Sequence, residues 1–129
     1  MNRVLILAPA PEVILTVSRA LPEEAAVEGA DQIQKAIKIH NQNPFSLIFI
    51  DLQLLKATGA KYDFTQLALL YKKTNPISKF VVLSAKSSIR DAVQMVRDGA
   101  DDYLTYPIDT DKVRLIFESV KKTSIINLE

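Results

Sequence analysis

The sequence contains no cysteine and a single histidine, His40, among 129 residues. Disulfides and thiolate metal sites are therefore excluded, zinc has no ligand set, and a reducing, cytoplasmic compartment is the simpler setting. Only three glycines occur, and neither a Gly-rich phosphate loop nor a G-x-S-x-G elbow can be written from them. No apolar run approaches the roughly 18 residues a membrane helix needs. Val4 to Leu7 is too short for a signal-peptide core. A dominant charge is also missing: 16 Lys and Arg stand against 15 Asp and Glu, net +1, with no basic run longer than two residues. Neither membrane nor nucleic acid is an expected partner of such a surface.

What the chain does have is apolar content, 48% of its residues, at a length typical of one domain with its own core. Residues 1–127 are expected to form that domain, and Leu128-Glu129 is set aside as a possible vector-derived tail. Leu47-Ile48-Phe49-Ile50 runs straight into Asp51. A run apolar on both faces reads as a central strand covered on both sides, which places Asp51 at the strand's end, the edge where ligands collect in open α/β sheets. A turn or helix-capping role for Asp51 is the alternative. Arg3 to Leu7 and Phe80 to Ser84 repeat the pattern, Asp102 to Thr105 makes a shorter strand, and Glu24 to Glu28 an edge strand before Gly29.

Between them lie helical stripes: Val13, Ile14, Val17 and Leu21 from Pro11; Ile33, Ala36, Ile37 and His40 with Asp31 as N-cap; Phe64, Leu67, Ala68 and Tyr71 with Asp63 as cap. Ile89, Ala92, Val93 and Val96 follow Ser87 or Ser88 and stop at Gly99, and Val113, Ile116, Phe117 and Val120 mark a last helix from about Thr110. Leu52 to Tyr62 reads as a loop, and His40 as a face residue of its helix with no second ligand type at matching spacing. Strands and helices alternate, so the class is α/β: a doubly wound parallel sheet with helices on both faces.

The strand ends bring Ala8-Pro9, Asp51, Ser84 and Tyr106-Pro107 to one edge. With Ala92 to Pro107 (AVQMVRDGADDYLTYP), they resemble the receiver domain of bacterial two-component response regulators over essentially the full chain. The likeness is strongest to receivers of activators that work with the alternative sigma factor of nitrogen regulation. The resemblance implies a flavodoxin-like receiver fold with five parallel strands in the order 2-1-3-4-5. It implies Asp51 as phosphoacceptor with Gly59 in its loop, Ser84 as the hydroxyl contacting the phosphoryl group, Tyr103 as the switch aromatic, and Mg²⁺ as cofactor. Implied partners are a sensor histidine kinase and an effector domain of the same protein acting on transcription. The domain itself is implied to be a signalling module and not an enzyme.

Several positions depart from that family. Ala8 and Pro9 stand where it carries an acidic pair for Mg²⁺, and Tyr106 stands where it carries a lysine before Pro107. Leu54-Leu55 replaces a Met-Pro, and the chain between Gly59 and Ser84 is a few residues longer than usual. Asp51 and the Gln53 carbonyl remain as metal ligands, a set from which only weak Mg²⁺ binding is expected. Glu12 would have to reach back across the Pro9–Pro11 turn, and Lys56 and Lys86 read as solvated loop charges. Tyr106 has a different possible use, donating its hydroxyl to Asp51 and locking one conformation.

Two functions follow. The first is a phosphorelay receiver with a degenerate acid site. The second is a phosphorylation-independent interaction or dimerisation module, suggested by mixed charges from Arg90 to Arg114. An enzyme on the same sheet has no catalytic motif to support it.

Overall fold

The computed structural model describes residues 2–57 and 64–128. Five strands form one parallel sheet: β1 (Arg3–Leu7), β2 (Ala26–Ala30), β3 (Leu47–Asp51), β4 (Lys79–Ser84) and β5 (Asp102–Thr105), in the spatial order β2-β1-β3-β4-β5. Among the described residues six α-helices connect and follow them: α1 (Pro11–Ala20), α2 (Ile33–Gln42), α3 (Leu52–Ala57), α4 (Phe64–Thr74), α5 (Ile89–Arg97) and α6 (Thr110–Leu128). This is the doubly wound class and the strand order that the resemblance implies.

The wholly apolar strands are explained by helices on both faces. Leu5, Leu7, Ile48, Ile50, Phe80 and Val82 join a core with residues of α2 to α5. Their neighbours in sequence, Val4, Ile6, Leu47, Phe49, Val81 and Leu83, join a second core with α1 and α6. Side chains alternate across a strand, so a strand buried on both sides must be apolar at every position. Leu47, Ile48, Phe49 and Ile50 are each 0% exposed. Each contributes about 1.5–3 kcal/mol by leaving water.

Local details differ from the sequence expectations. β2 begins at Ala26, not Glu24, because residues 23–24 form a turn in which Ala25 N–H donates to the Pro22 carbonyl, and parallel pairing starts at Arg3 with Ala26. Gly29 lies inside β2, where a Cβ would stand 2.5 Å from Ile14 Cγ2. Asp31 does not cap α2: the N-cap is Gln32, in extended conformation and without a side-chain bond. Ser88 is the N-cap of α5 but its hydroxyl makes no capping bond, and Lys86–Ser88 forms a 3-10 turn ahead of it. Leu52 onward is not a loop as far as Ala57, because Leu52, Leu54 and Leu55 bury an apolar stripe against the sheet as α3. Gly59 and the capping position Asp63 lie outside the described residues, as does Glu129 of the possible tail. Gly99 ends α5 with φ +125, a backbone only glycine adopts readily. His40 is buried on its helix face.

Candidate functional site

The carboxyl ends of β1, β3, β4 and β5 converge on Asp51. The β3–β4 register sets Asp51 beside Leu83, and the β4–β5 register sets Ser84 beside Thr105. Asp51 shares the strand parity of Leu47 and Phe49, the side covered by α1 and α6. Tyr106 packs against that same core from just past β5. Its hydroxyl donates to Asp51 Oδ2 at 2.5 Å, while Gln53 N–H donates to Oδ1 at 2.7 Å. Asp51 is 4% exposed, so its carboxylate is held by two donors, one on each oxygen, with little water. Burial, then the bond and charge of Asp51, push the Tyr106 phenol well above its ordinary range, which keeps it a neutral donor.

The other residues are placed as follows. Ala8 is fully buried and donates its N–H to the Ala30 carbonyl; Pro9 is exposed. Ser84 is 1% exposed, and its hydroxyl donates to the Ala85 carbonyl at 3.1 Å, so it is not engaged with Asp51. The Tyr106-Pro107 peptide is cis. Tyr103 is half-buried against the α5 side and lines a groove of about 500 Å³ with Ile89, Pro107, Lys112 and Leu115. Glu12 is exposed on α1. Lys86 is exposed, while Lys56 pairs with Asp91 at 2.9 Å, linking α3 to α5 beside the strand ends. That ion pair and the helix right after Asp51 escaped sequence reasoning. The spacing of Leu52 and Leu55 was the available signal for the helix.

Mg²⁺ wants six oxygens in octahedral array, with carboxylates supplying the charge. Among the described residues at the ends of β1, β3, β4 and β5 the carboxylate is that of Asp51, and Gln53, in the first turn of α3, turns its N–H toward it. Helical carbonyls point toward the C-terminal end, so the Gln53 carbonyl is directed away from Asp51. Among the described residues no three His, Asp or Glu side chains converge on a possible ion. The donor set does not fit Mg²⁺.

A family model described as response regulator receiver domain matches residues 4–118. The chain belongs to this family. It is therefore a receiver domain, a signalling module of two-component systems. The receiver is 27% identical over 84 residues to a putative NtrX-like response regulator of Rickettsia felis, covering 65% of this chain and 17% of that protein. It is 28% identical over 103 residues to the transcriptional regulatory protein ZraR of Escherichia coli O157:H7, covering 78% of this chain and 22% of ZraR. The receiver thus spans about a fifth or less of these relatives. The solved receiver domain of NtrX from Brucella abortus superposes with a TM-score of 0.74 at 24% identity, covering 93% of this chain and 98% of that one. A Burkholderia pseudomallei response regulator, solved with a phosphorylated aspartic acid, calcium ion and citrate, matches at 28% identity and TM-score 0.68 over 88% of this chain and 64% of its own. Among the described residues no helix is long and apolar enough to cross a membrane.

Proposed function

We propose that this receiver has a degenerate phosphorylation site. Asp51 stands at the acceptor position but is held by Tyr106 in place of being served by cations. The observation that carries this reading is the Tyr106 hydroxyl bond to Asp51 Oδ2, at a strand edge that offers Ala8 and Pro9 in place of carboxylates. Phosphoryl transfer to a carboxylate brings negative charge onto negative charge, and its catalysis consists of positioning and charge compensation. A neutral phenol supplies neither a cation nor a free oxygen, since the Asp51 oxygen it caps is one that could attack phosphorus. Ser84 and Tyr103 keep the family positions of phosphoryl-contacting hydroxyl and switch aromatic.

By relation to the NtrX and ZraR proteins, this domain would work within a longer transcription regulator, receiving its signal from a sensor kinase or another protein partner and passing it to an effector domain. It is not itself a catalyst. A second reading, an interaction or dimerisation module that needs no phosphate, is favoured by the exposed Ile89 and Leu115 beside the Tyr103 groove.

Calorimetric titration with Mg²⁺ tests the degenerate site. The native chain is expected to show no saturable binding at concentrations on the order of millimolar. A variant combining Ala8→Asp, Pro9→Asp and Tyr106→Lys is expected to gain it. Saturable binding by the native chain, abolished in Asp51→Asn, would overturn the reading.

A further inference from the structure

His40 lies far from the Asp51 edge, in the last turn of α2, and is 1% exposed. Its ring stacks on Phe45, centroids 6.0 Å apart, and tilts against Tyr71 at 4.5 Å. Both ring nitrogens are engaged. Nδ1 accepts the Phe45 N–H at 3.0 Å, and Nε2 lies 2.8 Å from the Tyr71 carbonyl oxygen. A backbone N–H can only donate and a carbonyl can only accept, so these partners assign the neutral tautomer with its proton on Nε2.

The imidazole therefore joins three pieces of chain: α2, the Phe45 segment that leads into β3, and the end of α4. Phe45 is tied further, its carbonyl accepting from Ser78 Oγ at 2.7 Å and from Asn75 Nδ2 at 3.2 Å ahead of β4. Thr74 Oγ1 donates to Asn41 Oδ1 at 2.7 Å across the same corner.

A second proton would have to sit on Nδ1, facing the Phe45 N–H, which places two buried donors against each other. The Tyr71 carbonyl favours the charged ring, but the ionisable groups nearby do not. From β1, the Arg3 guanidinium lies 4.5 Å over the Phe45 ring and adds like charge, and its partner Glu28 is already paired with it at 3.1 Å. From α4, Tyr71 is fully buried and its phenol is pushed well above the ordinary range, so it stays neutral. Neither α2, α4 nor residues 43–46 contain an Asp or Glu.

We propose that His40 is an acid-sensitive pin of the α2–α4 corner: proton uptake at Nδ1 breaks its bond to Phe45 and loosens the segment that leads into β3. Burial, the largest influence, holds the imidazole below its ordinary range; the Tyr71 carbonyl comes next and opposes it, and Arg3 adds to the lowering. The sign follows. The unfolded chain binds this proton below about pH 6.5 while the folded chain resists it, so the pin's stabilisation is complete above that pH and is lost on acidification.

Because His40 is the only histidine, its ring can be followed by NMR in the native chain without assignment ambiguity. At neutral pH the ring nitrogens are expected to report the Nε2–H tautomer. Urea unfolding is expected to show the folded-to-unfolded ratio falling by up to about tenfold per pH unit below about pH 6.5, beyond the loss due to other groups. His40→Asn, whose Oδ1 can still accept from Phe45 but cannot titrate, should lack that component. Equal pH slopes in the two proteins, or an imidazole that titrates near its ordinary value while the Phe45 amide signal stays fixed, would overturn the proposal. The ring measurement decides alone if His40→Asn does not fold.

Discussion

The Tyr106 hydroxyl reaches Asp51 Oδ2 across 55 residues of sequence, fastening the chain after the edge strand β5 to the end of the central strand β3. A hydrogen bond to a buried charged group is worth about 1.5–3 kcal/mol, more than a neutral one. Tyr106→Phe keeps the ring in the α1/α6 core and removes only the donor. It is expected to lower stability by about 1–3 kcal/mol in urea unfolding. In an Asp51→Asn background the same change should cost less, because the carboxylate it serves is gone.

Alkali is expected to act through the same residue. The Tyr106 and Tyr71 phenols are both pushed up by burial, and Asp51 adds to the effect on Tyr106. A group whose folded value is raised contributes stability that is complete below its unfolded value and lost as pH rises past it. Stability should therefore fall above about pH 10, the unfolded phenol value, and less steeply in Tyr106→Phe. Phenolate absorbance followed against pH, alongside circular dichroism, checks that these two tyrosines ionise only as the protein unfolds.

Two glycines should fail for different reasons when changed to alanine. At Gly29 a methyl would overlap Ile14 Cγ2, whereas at Gly99 nothing lies within 4 Å and the obstacle is φ +125. Each substitution is expected to cost about 1–3 kcal/mol. Only the Gly29 loss should be relieved by adding Ile14→Ala, and thermal unfolding of the four variants distinguishes packing from backbone strain.

The strands were readable because burial on both faces left an unmistakable mark, the apolar runs at Val4–Leu7, Leu47–Ile50 and Phe80–Leu83. The strand order came with the family resemblance. Helix α3 was read as loop because its six residues make fewer than two turns, too few for a helical period to stand out. The start of β2 was misplaced because a half-buried edge strand carries little pattern, and its register is set by pairing with β1. Capping by Asp31 failed for a local reason: Gln32 takes the extended cap conformation, φ −132 and ψ 125, one residue later. At the site, sequence position alone brought Tyr106 to Asp51. It could not say that the Ser84 hydroxyl turns to the Ala85 carbonyl, nor that Lys56 pairs with Asp91, since both depend on side-chain directions fixed only in the folded chain.

The proposed degenerate site is an acceptor carboxylate held by Tyr106 in place of cations. Incubation of the native chain with acetyl phosphate and Mg²⁺, followed by intact-mass measurement, tests it most directly. The predicted result is an unchanged mass. A stoichiometric adduct one phosphoryl group heavier, absent from Asp51→Asn, would contradict it and make Asp51 a working switch.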